Sequence, residues 1–231
     1  MRHLILILLA LTLGTGCFDL KHRDLGPVTP AATATAVPSG GGGGGSNGSW
    51  PTLSSFGADA SNDNAGSTID PGNDNQDGCG ASGSSAAFAQ QASGSWDASA
   101  FGRLTYNVAT NAGCTYQYAS VGFAMTTQHD VSAYTQFKFY ARANPAASFK
   151  ITLQGNAADA CVPTPHNRMY FVQAVTTSWA LYSIPFTSFT DRYGSCPYIS
   201  GGWLAKTGSV SFAMESVNSG NLDLDDVLFA P

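Results

Sequence analysis

Val175-Thr-Thr-Ser-Trp179-Ala-Leu-Tyr182-Ser-Ile184-Pro185-Phe186-Thr-Ser-Phe189 is the stretch on which the fold turns. It reads as a strand that ends abruptly. Leu181, the aromatics and the β-branched Val175, Thr176, Thr177 and Ile184 favour a pleated surface. Pro185 has no N–H to give a ladder, so the strand stops there or runs along an edge. Phe186 and Phe189 lie three apart, as on one helical turn, and are expected to tuck under the sheet.

Outward from that stretch the chain reads as all-β. Strands are expected at Ser85–Ala92, Leu104–Ala109, Gln117–Met125, Gln136–Ala143, Phe149–Gly155, Tyr170–Val175, Ala180–Ile184, Ser209–Glu215 and Leu222–Phe229. Apolar and polar residues alternate in Phe137-Lys-Phe139-Tyr-Ala-Arg and in Phe149-Lys-Ile151-Thr-Leu153-Gln. No stretch of about a dozen residues carries a helical period. Many short strands with Gly, Asn, Ser and Pro breaks indicate a β-sandwich or jelly roll of two antiparallel sheets. Asn62–Gly83, nearly all turn formers, is expected to be a long surface loop.

The order of residues adds a resemblance. Thr-x-x-Trp-x-x-Tyr-x-Ile-Pro-Phe-x-x-Phe resembles the late strand of the galactose-binding-like β-jelly-roll carbohydrate-binding modules. Three further stretches fall in that family's order. They are Tyr118-Ala-Ser-Val-Gly122-Phe, then His129-Asp130-Val-Ser132-Ala-Tyr134 leading into Phe137-Lys-Phe139-Tyr-Ala-Arg142, and Asn221-Leu-Asp223-Leu-Asp225-Asp226-Val-Leu-Phe229. The resemblance spans roughly residues 51–230 and speaks more to fold than to ligand.

Residues 1–16 have the layout of a secretory signal peptide: basic Arg2, apolar Leu4 to Leu13, then small residues. The apolar run is shorter than the roughly 20 residues a spanning helix needs. Small residues running directly into Cys17 resemble a bacterial lipoprotein signal, with Cys17 lipidated, although Leu13 lies one position further from the Cys than the pattern prefers. Phe18, not Asp, follows Cys17, which by analogy with enteric bacteria favours the outer membrane or cell surface. Residues 17–50 read as a tether, rich in Pro, Ala and Thr and carrying six glycines from Gly40 to Gly45. Such composition buries too little apolar area to offset its ordering entropy. It would hold the domain 51–231 roughly 30 Å from its anchor.

Removing Cys17 from the five cysteines leaves Cys79, Cys114, Cys161 and Cys196. An even number in an exported chain implies two disulfides. Three connectivities exist; Cys79–Cys114 with Cys161–Cys196 is favoured, because each pair sits in turn-rich segments flanking strands.

Charged residues are 11% of the chain and the net charge is −5. That balance offers no basic footprint for nucleic acid and no cationic cluster for an anionic membrane. A neutral partner fits better, with membrane contact only through the lipid anchor and a monomeric domain. Glu215 is the single glutamate, so the two facing carboxylates of glycoside hydrolysis are hard to supply. His129, placed in a turn, and His166 are read as surface residues. No Gly-x-Ser-x-Gly elbow or phosphate loop occurs, and the domain is read as non-catalytic.

Sugar binding calls for flat aromatic faces with polar groups at their rim. Tyr116 and Tyr118 share one face of their strand. Tyr193, Tyr198 and Trp203 lie in one loop, and His166, Asn167 and Arg168 lie in the loop carrying Cys161. A Cys161–Cys196 bridge would bring those two loops into one site. The resemblance further implies a structural calcium between an acidic residue of the first strand, here Asp59 by substitution, and Asp226 in the closing strand. Within Asp225-Asp226, alternation turns one carboxylate inward. Two other classes stand beside the carbohydrate-binding reading. One is a surface lipoprotein holding a protein partner. The other is a jelly-roll polysaccharide lyase using Tyr170 and Arg168, with only Lys150 and Lys206 accompanying them in the later strands.

Overall fold

The computed structural model describes residues 35–36, 52–54, 68–73, 83–110, 116–155, 168–191, 204–205 and 207–231. In chain order the strands are β1 (Thr35–Ala36), β2 (Thr52–Ser54), β3 (Thr68–Asn73), β4 (Ser85–Gln91), β5 (Phe101–Val108), β6 (Ala119–His129), β7 (Gln136–Asn144), β8 (Ala147–Gly155), β9 (Arg168–Val175), β10 (Ala180–Pro185), β11 (Thr190–Asp191), β12 (Thr207–Met214) and β13 (Asn218–Ala230). Among the described residues they form two antiparallel sheets. One has seven strands in the order β1-β10-β7-β13-β5-β4, with β2 also paired to β13. The other has six, in the order β11-β9-β8-β12-β6-β3. The all-β sandwich expected from the alternation is the fold, and all nine expected strands are present.

The two-residue period does the folding. Along β7, Phe137, Phe139, Ala141 and Ala143 are buried while Lys138, Tyr140 and Arg142 face out. Along β8, Phe149, Ile151 and Leu153 are buried and Lys150, Thr152 and Gln154 face out. Phe212 of β12 bridges the sheets. Its ring lies 5.0 Å from Phe139 and 6.1 Å from Phe137 in the seven-stranded sheet, and 6.1 Å from Phe123 in its own. Each such pair adds roughly 0.5–1.5 kcal/mol beyond the area it buries.

The opening stretch is broken where two separate strands were expected in it. Thr176 to Trp179 form a turn, and β10 starts only at Ala180. The Tyr182 hydroxyl accepts the Thr176 N–H at 3.0 Å and so fixes the turn against β10. After Pro185 the chain makes a 3₁₀ turn, Phe186–Ser188, closed by the Phe189 N–H on the Phe186 carbonyl. Phe186 and Phe189 are both buried, as expected. Asp130 caps the turn before β7, accepting the Ser132 N–H at 2.9 Å and hydroxyl at 2.6 Å.

Three expectations change. Asn62–Gly83 is not all loop, because β3 pairs with β6 from Thr68↔Ala124 to Asn73↔Ala119. Pro71 is tolerated there because β3 lies at the sheet edge, and Ile69 packs against the core. Thr35–Ala36, within the segment read as a tether, pairs with Leu181 and Ala180. His129 is not in a turn but ends β6, with a buried Nε2 that has no partner among the described residues. Cys17, Cys79, Cys114, Cys161 and Cys196 lie outside the described residues.

Phe212→Ala is expected to destabilise the domain by about 3–5 kcal/mol, the range for a large aromatic removed from a closed core. Urea unfolding measures it, and a change below about 1 kcal/mol would mean that Phe212 does not join the sheets.

Candidate functional site

The outward residues of the six-stranded sheet fall in rows. Tyr170, Thr152, Ser211 and Gly122 stand opposite one another across β9, β8, β12 and β6. On one side of that row lie Gln154, Ser209 and Ala124, and on the other Lys150, Ala213 and Ser120. The middle of this face is therefore a low floor of Ser, Thr, Gly and Ala, half-buried except for the buried Ala213 and the exposed Ala124.

Aromatic side chains stand at one end of the floor. Tyr116 and Tyr118 precede β6 on the side that Ser120 continues, with ring centroids 5.6 Å apart. The Lys150 ammonium lies 4.9 Å from the Tyr170 ring and 5.5 Å from the Tyr116 ring. It also reaches Glu215 Oε1 at 2.8 Å, and the Tyr116 hydroxyl donates to the same oxygen. Burial pushes the Glu215 carboxyl up to about 7. The Lys150 ammonium and the Tyr116 hydroxyl pull the other way, favouring the carboxylate. The ion pair thus holds two tyrosine faces in place. This face can stack apolar sugar faces on Tyr rings and bond hydroxyls through Ser, Thr and Gln.

The outer face of the seven-stranded sheet is built differently. The turn Ala92–Ala100 folds over it, and Trp96 stacks on Tyr140 at 4.1 Å and 10°. Trp96 Nε1 donates to Asp226 Oδ2 at 3.2 Å. Asp225 sits opposite Tyr140, so it points away from the core shared by the sheets and is buried under this turn. Asp226 also turns to this outer face, where it accepts from Trp96, so the expectation that one carboxylate of the pair faces inward is corrected. The register shifts between Asp225 and Leu228, and Asp226 takes φ 44°. A bulge of this kind breaks the alternation, and Asp tolerates the left-handed region better than most residues. Burial, reinforced by the nearby Asp226 and Asp97 charges, pushes the Asp225 carboxyl up to about 8.

Calcium can be tested against these donors. Asp225 Oδ2 is buried without a partner among the described residues, which suits a cation. Yet no group of three or more His, Cys, Asp or Glu among the described residues could hold a metal. Calcium also takes backbone and amide carbonyls and waters, and Asp59 lies outside the described residues.

The structure brings Tyr116 and Tyr118 together, as their spacing implied. Arg168 opens β9 with its backbone opposite Gln154. His166, Tyr193, Tyr198 and Trp203 lie outside the described residues. Sequence reasoning placed Tyr170 and Lys150 only in the lyase reading and missed the small-residue floor. Alternation within each strand signalled both, but their meeting depends on register between strands.

Residues 72–231 match the family described as Carbohydrate binding domain 30. Among solved structures, the chain resembles the family 11 carbohydrate-binding module from Clostridium thermocellum in complex with a β-1,3-1,4-mixed-linked tetrasaccharide. The TM-score is 0.56 at 13% identity, over 78% of this chain and 94% of that one. It also resembles the family 11 module of a cellulosomal cellulase of the same organism, with TM-score 0.56 and 13% identity over 79% and 94% of the two chains. At that identity the likeness shows the fold alone. No curated protein matches the chain.

A carboxyl raised from 3.8 to about 8 in the folded state stabilises the fold while protonated, below about pH 4. That stability is lost as pH rises through 8. Asp225→Asn, which stays neutral, is therefore expected to melt above the wild type at pH 8 in EDTA, with the gap closing by pH 4. Melting curves across that range measure it, and a gap independent of pH would contradict the burial argument.

Proposed function

Because the chain belongs to the family Carbohydrate binding domain 30, we propose that it is a non-catalytic module holding a neutral poly- or oligosaccharide on the outer face of its six-stranded sheet. One observation carries this reading: Tyr116 and Tyr170 flank Lys150, Tyr118 lies beside Tyr116, and together they end a floor of small, largely hydroxyl-bearing residues. Sugar rings have apolar faces for the tyrosines and hydroxyl edges for Thr152, Ser209, Ser211 and Gln154. Low side chains at Gly122 and Ser120 leave room for a chain to lie across several strands. The β-1,3-1,4-mixed-linked tetrasaccharide in complex with the family 11 module makes soluble mixed-linked β-glucans the first ligands to try.

Tyr193, Tyr198 and Trp203, with His166 and Arg168, are proposed to extend the site from their loops, stiffened by Cys161–Cys196. A calcium ion held by Asp226 with Asp59 is proposed as structural. The module is proposed to be exported and lipid-anchored at Cys17, so that its tether lets it reach glycans beyond the membrane surface.

Affinity electrophoresis against soluble polysaccharides tests the site. Retardation by a neutral β-glucan is expected, and Tyr118→Ala or Tyr170→Ala should weaken it at least about ten-fold, some 1.4 kcal/mol, with the melting temperature unchanged. Unchanged retention in both variants would remove this face from the site. Added calcium should raise the melting temperature of the wild type and not of Asp226→Ala; equal responses would exclude calcium at Asp226. Release of unsaturated uronic products would instead favour the lyase reading, since Lys150 does lie over Tyr170.

A further inference from the structure

We propose a second ligand site, on the outer face of the seven-stranded sheet, that takes an anionic sugar. Arg103, Asp223 and Arg142 stand in one row across β5, β13 and β7. Arg103 grips Asp223 through Nε at 2.6 Å and Nη2 at 2.8 Å, and Arg142 reaches it through Nε at 2.8 Å. The Asp223 side chain is 4% exposed, whereas the guanidiniums are 32% and 33% exposed. A buried carboxylate needs a counter-charge. One guanidinium in forked contact supplies it, so the second is surplus to that need. Two cations over one anion leave a net positive charge here, in a chain whose net charge is −5.

A guanidinium has five N–H donors. Arg142 spends only Nε on a side-chain partner among the described residues, so both of its terminal nitrogens still offer donors. Its position is fixed by rings, not by further bonds. The guanidinium carbon lies 4.9 Å from the Trp179 ring and 5.5 Å from the Phe101 ring, and Trp179 Nε1 is tied to the Gly94 carbonyl at 3.0 Å. Rings at these distances hold a cation in place and limit its ordering cost when a ligand arrives.

Beside this row a cleft of about 390 Å³ opens, within the range of small-ligand sites. Asn144, Asn221 and Thr177 complete its lining with the two arginines and Asp223. A carboxylate or sulfate ester takes forked bonds from a guanidinium. The amides and the Thr177 hydroxyl suit ring hydroxyls. A sugar carrying one such anion matches both halves of the lining. A neutral sugar would leave the surplus guanidinium uncompensated. This site lies on the opposite side of the sandwich from the tyrosine face and does not depend on it.

The test is calorimetric titration of the full chain with glucuronate, glucose 6-sulfate and glucose. At least one anionic sugar should bind, more weakly as salt rises, and glucose should not. Arg142→Gln should cut that affinity at least about ten-fold, as loss of a charge-assisted contact implies. Thr177→Glu, which puts a negative charge on an exposed rim, should do the same and guards against a folding defect in the arginine variant. The tighter of the two anions tells carboxylate from sulfate. Absence of binding by both anions, equal binding of glucose, or full affinity in Thr177→Glu would each overturn the proposal.

Discussion

The ring of Phe212 wedged among Phe123, Phe137 and Phe139 is the contact on which the two faces depend. It fixes which side of β12 and β7 looks inward. Since side chains alternate along a strand, fixing the inner side fixes the outer one. Ser209 and Ser211 are thereby turned out on one sheet, and Lys138, Tyr140 and Arg142 on the other. A slip of one residue in either strand would exchange core for surface along its whole length. The outer faces are therefore as well determined as the core, although few aliphatic contacts hold them.

The same scaffold presents two chemically distinct surfaces. The six-stranded face has small polar side chains at its centre and tyrosines at one end, organised by a Lys150–Glu215 pair. The seven-stranded face is capped at one end by the Trp96 turn, which buries Asp225. Further along it opens over two guanidiniums that share one carboxylate. An uncharged ligand suits the first and an anion the second. The chain's low overall charge leaves these local arrangements to set the preference at each face.

Much of the fold was legible because strand alternation is a local signal. Phe137-Lys-Phe139 and Phe149-Lys-Ile151 declare their buried sides without knowledge of any partner, and Pro185 marks where β10 must end. β3 escaped because Asp70-Pro71-Gly72 reads as a turn; only an edge position tolerates it, and edges are assigned by the rest of the sheet. The site was legible by halves. Tyr116 and Tyr118 share a face by spacing alone. Lys150 meeting Tyr170, and Arg103 meeting Asp223 and Arg142, depend on cross-strand register, which no single strand encodes. The bulge at Asp226 likewise breaks the alternation that predicted an inward carboxylate.

The most direct test of the central claim is to record backbone amide spectra of the ¹⁵N-labelled domain during titration with a mixed-linked β-glucan oligosaccharide. The account predicts shifts clustered at Tyr118, Ser120, Gly122, Thr152, Tyr170 and Ser211. Shifts confined to the opposite face, around Arg142, Asn144 and Thr177, or spread evenly over both, would contradict it.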